Sequence, residues 1–193
     1  TEDAVLYVLA NEHAYDTTGI SVGGSSAGGN MALSLSARLG SERIKSCFAL
    51  YPAAHLTHPE RLDTVMGCVS DKFRSGVVIP HWCMKLFINA YTTPGTDMND
   101  PRLSPMFYDA SKFPKYVAVA CGDADTLYRM SFDLMKKISG SASGTNVDGS
   151  RKFICVLNEA HEFNTFGRTR ASQEERDRVE GEAINMIRAS WRQ

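Results

Sequence analysis

Apolar residues recur along the chain with two rhythms. Residues 2–14 carry Ala4, Val5, Val8 and Leu9 at helical spacing and stop at the turn cluster Asp16-Thr17-Thr18-Gly19, which predicts one helix ending near Tyr15. A short apolar run at 20–22 is followed by a glycine-rich stretch at 23–29 and by good helix formers over 30–39 closed by Gly40. That order reads strand, tight turn, helix. The runs at 47–51, 116–121 and 153–157 are continuous rather than alternating, the pattern of parallel strands covered on both faces, and Pro52 ends the first of them. Helical patterns at 81–90, 128–139 and 173–191 separate the runs. The last has Ser172 and Glu175 in capping-box spacing and an apolar stripe at Val179, Ala183, Met186 and Ile187.

Alternating strands and helices imply a mostly parallel sheet with right-handed crossovers and helices on both faces, hence the α/β class. Two stretches break the rhythm. Residues 53–97 are longer than a crossover needs and rich in His, Met and aromatic residues, so they are expected to stand over the carboxyl ends of the strands as a cap insertion in a single domain spanning 1–193. Residues 139–150 have no apolar content to bury and are expected to form a mobile surface loop.

Composition narrows the function classes. Lys+Arg 21 against Asp+Glu 22 gives a net charge of −1, so no basic footprint for nucleic acid is present. No apolar run approaches the roughly 18 to 20 residues of a membrane-spanning helix. The five cysteines, Cys47, Cys68, Cys83, Cys121 and Cys155, include no C-x-x-C pair, and no N-x-[ST] acceptor occurs. They read as free thiols in a reducing, cytoplasmic setting. The Cys and His residues lack metal-ligand spacing, and residues 23–29 lack both the Lys of a P-loop and the acidic partner of a dinucleotide-binding turn, so no metal or cofactor is expected.

The informative residues are Gly24-Ser25-Ser26-Ala27-Gly28, a G-x-S-x-G pattern between a predicted strand and a predicted helix. A serine on a sharp strand-to-helix turn needs neighbours without bulk, because the backbone passes close to itself, and Gly24, Ala27 and Gly28 meet that requirement. The turn also sets the helix N-terminus beside the serine oxygen, where the Ala27 N–H is the natural donor to an oxyanion. A serine nucleophile needs a base and the base an orienting acid. Asp123 and Asp125 follow directly on the run at 116–121, and His161 follows the last run, so all lie at the carboxyl edge that carries Ser26. His13 falls in a helix, and His55, His58 and His81 fall in the expected cap.

Gly24-Ser25-Ser26-Ala27-Gly28-Gly29-Asn30 resembles the G-[DE]-S-A-G-G-N elbow of the hormone-sensitive-lipase-like carboxylesterases, a branch of the α/β-hydrolases. Tyr51-Pro52 resembles the end of that family's next strand, Asp100-Pro101 to Ser104-Pro105 its D-P-x-x-S-P segment, Gly122 to Leu127 its G-x-x-D-x-L acid motif, and His161-Glu162-Phe163 its H-G-F. The resemblance selects Asp125 over Asp123 as the acid. Ser25 stands where the family has an acidic residue, Thr126 where it often has Pro, and Glu162 where it has Gly.

The resemblance implies a serine carboxylesterase of small to medium acyl esters with a Ser26, His161, Asp125 triad and a small-molecule ester as its partner. It also places the family's H-G-G-G oxyanion loop, early strands and first part of the cap before Thr1. A preceding segment or a second chain is therefore expected to complete the sheet, and the unpaired strand at 20–22 favours homo-oligomers. Ser25, Trp82, Leu86 and Phe87 are the expected substrate-binding residues, with Met84 beside them. The alternatives are a small-molecule-binding protein that keeps the elbow without turnover, or an amidase or deacetylase using the same triad.

Overall fold

A computed structural model describes residues 2–167 and 169–192. Helix α1 (Glu2–Ala10) precedes strand β1 (Ser21–Ser25), and α2 (Ala27–Leu39) then returns the chain to β2 (Ser46–Leu50). A long crossover containing α3 (His81–Tyr91) leads to β3 (Tyr116–Gly122). Helix α4 (Tyr128–Ser139), β4 (Arg151–Val156), the one-turn α5 (Phe163–Phe166) and α6 (Arg170–Ser190) complete the order. The four strands form a parallel sheet in the spatial order β1-β2-β3-β4.

The pleat sends alternate side chains to opposite faces. Cys47, Ala49, Val117 and Val119 pack on one side with Leu33 and Ala37 of α2 and with Leu134, Met135 and Ile138 of α4. Ala118, Ala120, Ile154 and Val156 pack on the other with Val179 and Met186 of α6 and with Phe163. Burial on both faces is what makes these runs continuously apolar. A separate cluster joins residues of 53–98 to the start of α4: Leu56, Leu62, Val65, Met66, Met84, Ile88 and Met98 pack against Leu127 and Met130.

Several element boundaries differ from the sequence expectation. Helix α1 stops at Ala10, because Asn11 Nδ2 donates to the Tyr7 carbonyl at 2.7 Å and opens a turn instead of another helical repeat. Strand β1 runs through both glycines to Ser25 and α2 starts at Ala27, so the tight turn is a single residue. Helix α6 starts earlier than 173: Thr169 is its N-cap, accepting from the Ser172 N–H at 3.1 Å, so Ser172 sits in the first turn and is not the cap. The 139–150 segment is tied down rather than free. Asn146 exchanges bonds with Arg151 and the Phe153 N–H donates to the Gly144 carbonyl, which lays the segment against β4.

All five cysteines are free thiols, with Cys47 and Cys121 buried in the sheet and Cys68 exposed. Burial pushes the Cys47 thiol up to about 12 and raises that of Cys121, so neither forms thiolate near neutral pH. A disulfide-exchange reagent is expected to titrate Cys68 first and to reach Cys47 and Cys121 only after unfolding, as followed by absorbance of the released thiol.

Candidate active site

Each strand that matters here ends at the same edge, and parallel pairing forces that coincidence. Ser26 follows β1, the loop 123–127 follows β3, and the loop 157–162 follows β4. Ser26 has φ 53° and ψ −118°, a conformation L-residues avoid and one that aims the side chain out of the turn. Two contacts hold it: the Ser26 N–H donates to the Leu50 carbonyl at 2.9 Å, and its carbonyl accepts from Asn30 N–H at 3.0 Å. Gly24 lets the turn close, since a Cβ there would stand 2.5 Å from the Gly28 carbonyl oxygen. Ala27 opens α2, so its N–H has no intrahelical acceptor and lies beside the serine at the positive end of the helix.

Ser26 Oγ lies 3.1 Å from His161 Nε2, and His161 Nδ1 lies 2.8 Å from Asp125 Oδ2. Asp125 is fully buried and His161 3% exposed. The other Asp125 oxygen accepts the Leu127 N–H at 2.8 Å, which fixes the carboxylate plane. Asp123 is turned elsewhere. Its Oδ1 accepts the Asn158 N–H at 2.7 Å and so braces the start of the histidine loop. The geometry therefore separates the two carboxylates that the residues alone leave equivalent.

Around this line of groups stand residues of the quoted motifs to which the sequence assigned no role. The Tyr51 ring lies with its centroid 4.5 Å from that of His161, and its hydroxyl donates to Asn164 Oδ1 at 2.5 Å. Burial pushes the Tyr51 phenol up to about 12, so it remains neutral beside the imidazole. Asn30 reaches the Ala53 and Leu103 carbonyls at 2.7 and 2.8 Å, and buried Ser104 bonds to Leu56 and Met98. The D-P-x-x-S-P resemblance thus marks a brace between α2 and the long crossover. Glu162 has φ 58° and ψ 31°, the left-handed region, which explains why glycine suits that position. Glu162→Gly is expected to stabilise the fold by about 0.5–1 kcal/mol, read as a Tm rise of about 1–4 °C.

A cavity of about 450 Å³ opens on Ser26. It is lined by Ala27, Asn30, Met31, Ala53, Leu56, Ile79, Met84, Phe87, Ile88, Ala90, Tyr91 and Leu127, an almost wholly apolar wall. Of the expected substrate-binding residues, Phe87 and Met84 line it and three do not. Trp82 and Leu86 lie off the cavity wall, 68% and 58% exposed, whereas the wall takes Met84 and Ile88, the two buried residues of α3, together with the exposed Phe87 and Tyr91. Ser25 is exposed and borders a shallow cleft along β1, since the pleat turns it away from its neighbour Ser26. Among the described residues no cluster of His, Cys, Asp or Glu is arranged to hold a metal, and no helix is long and apolar enough to cross a membrane.

The fold recurs among solved structures. EstE1, a thermophilic carboxylesterase cloned from a metagenomic library, matches with a TM-score of 0.73 and 23% identity, over 98% of this chain and 62% of its own. Brefeldin A esterase, described as a bacterial homologue of human hormone-sensitive lipase, gives 0.68 and 22% over 97% and 53%. The hyperthermophilic esterase of Pyrobaculum calidifontis gives 0.70 and 20% over 96% and 58%. The chain thus spans between about half and three-fifths of the length of these proteins. No curated protein matches it in sequence. A family model described as the alpha/beta hydrolase fold matches residues 1–164, a span that takes in the elbow, the acid loop and the histidine loop, and the chain accordingly belongs to the α/β-hydrolase fold family.

Proposed function

We propose that the protein is a serine hydrolase that cleaves carboxylic esters of small to medium acyl chain. The observation that carries this reading is the unbroken line from the Ser26 hydroxyl through the His161 imidazole to the buried Asp125 carboxylate, at 3.1 and 2.8 Å. His161, with its proton on Nδ1 toward Asp125, accepts the Ser26 proton at Nε2 as the serine oxygen bonds to the ester carbonyl carbon. The Ala27 N–H stabilises the resulting oxyanion. Collapse breaks the bond to the alcohol oxygen, which leaves with the proton from Nε2. Water, deprotonated by the same nitrogen, then releases the acid and restores Ser26.

Residues 53–97 serve as a cap over the cavity, supplying Ala53, Leu56, Ile79, Met84, Phe87, Ile88, Ala90 and Tyr91 to its wall. Apolar walls with one hydroxyl at the base suit an uncharged acyl or alcohol group. Strand β1 is paired only with β2 among the described residues. We place at its free edge a further strand, from this polypeptide or from a second one, that brings the remaining oxyanion donors to Ser26.

The test is covalent labelling. A fluorophosphonate probe is expected to modify Ser26, identified by peptide mass spectrometry, and Ser26→Ala is expected to remove both labelling and turnover of a short p-nitrophenyl ester. Labelling of another residue in the Ser26→Ala protein contradicts the assignment. Comparing an ester with its matching anilide then measures whether the site also cleaves amides, while stoichiometric binding without turnover identifies a receptor instead.

A further inference from the structure

We propose that Glu159 is a positioning residue for His161: its buried carboxylate clasps a strap, residues 67–79, onto the histidine loop and thereby holds the imidazole in line with Ser26. The proposal rests on the reading of His161 as the general base. It starts from an anomaly. Glu159 is fully buried, and a buried carboxylate is retained only where partners compensate its desolvation. Arg74 Nε donates to Glu159 Oε1 at 3.1 Å, Ser172 Oγ at the start of α6 donates to the same oxygen at 2.9 Å, and Ser75 Oγ donates to Oε2. Three donors from two separate parts of the chain, the strap at 74–75 and the start of α6, meet on one side chain two residues before His161.

The backbone shows what the clasp secures. Ala160 N–H donates to the Ser75 carbonyl at 3.0 Å, and His161 and Val77 exchange both their N–H to carbonyl bonds, at 3.0 and 2.7 Å. The Arg74 N–H and Nη2 reach the Asn158 and Leu157 carbonyls at 2.7 and 2.8 Å. Among the described residues, the main chain of His161 therefore pairs with the strap alone, and the strap sets its height above Ser26. Gly76, at φ 94°, lets the two backbones touch, since a Cβ there would overlap the His161 carbonyl oxygen. The same strap also grips the acid loop. Val69 and Ser70 N–H donate to the Asp123 carbonyl, Gly67 N–H donates to the Thr126 carbonyl, and Thr126 Oγ1 donates to the Ile79 carbonyl at 3.0 Å. Ile79 lines the cavity, so one continuous segment ties the substrate wall, the acid loop and the histidine loop together. A base displaced by about 1 Å loses on the order of 10²-fold in rate.

The experiment combines kinetics with ¹⁵N–¹H spectroscopy of the intact chain, following the Nδ1–H resonance of His161. Glu159→Ala is expected to lower kcat for a short p-nitrophenyl ester by about 30- to 100-fold with KM within about twofold, and to broaden or shift that resonance. Ser75→Ala and Arg74→Gln, which leave the carboxylate with two of its three partners, are expected to lower kcat by several-fold in the same pattern. If Glu159→Ala fails to fold, these two variants decide by the same criteria. Folded variants that keep both the wild-type kcat and the wild-type resonance overturn the proposal, as does a wild-type protein without the Nδ1–H resonance. If the wild type hydrolyses no ester yet its His161 resonance responds to these variants, the esterase reading fails and the positioning role stands.

Discussion

Replacing His161 with Ala is expected to lower turnover of a short p-nitrophenyl ester by about 10⁴- to 10⁶-fold, the scale seen when the base of such a triad is removed. The hydroxyl alone is a weak nucleophile at neutral pH, and among the described residues its 3.1 Å contact with His161 Nε2 is its route for losing a proton to a base. Two controls sharpen the result. The double variant Ser26→Ala/His161→Ala should be no slower than either single one, because groups acting as one unit are strongly non-additive. Asp125→Asn should fall by about 10⁴ while the fold survives, since the amide presents a donor to Nδ1 and enforces the wrong tautomer. Loss of less than about tenfold in His161→Ala, measured as kcat or as the rate of fluorophosphonate labelling, removes His161 from the chemistry.

The second large effect falls on folding. Gly122 closes β3 where the histidine loop crosses it, and a Cβ there would overlap the Glu159 carbonyl oxygen, which also accepts the Ala124 N–H at 3.1 Å. Backbone cannot retreat as a flexible side chain does, so Gly122→Ala is expected to destabilise the protein by about 3–5 kcal/mol, lowering Tm by roughly 6–20 °C. Gly181 provides the contrast. It lies within α6 with open space for at least 4 Å around the point a Cβ would occupy, and Gly181→Ala should raise stability by up to about 1 kcal/mol through helix propensity. Urea unfolding of the two variants side by side checks whether contact geometry, rather than glycine content, sets the response. Equal midpoints would contradict it.

Much of the fold is legible along the chain because its cause is local or periodic. Continuous apolar runs mark the strands since both sheet faces are covered, and the helix spacing of α3, α4 and α6 follows from one buried stripe on each. Helix ends are less legible. Thr169 rather than Ser172 caps α6, because a threonine and a serine three apart both satisfy the capping rule and only the path of the preceding loop chooses between them. The loop at 139–150 shows the same limit: its polar composition suggests freedom, yet its backbone groups and Asn146 find partners along β4.

The sequence by itself determined the α/β class, the elbow serine, and the order in which serine, acid and histidine arrive at the strand ends, because sterics at a tight turn and the rules of parallel pairing act on neighbouring residues. Only the tertiary structure decided the rest. It put Phe87 on the cavity wall and left Trp82 of the same helix off it, and gathered Arg74, Ser75 and Ser172 on Glu159. Those outcomes depend on contacts between segments as many as 85 residues apart, whose geometry is fixed by burial and hydrogen-bond satisfaction across the whole sheet edge and leaves no period or motif in the chain.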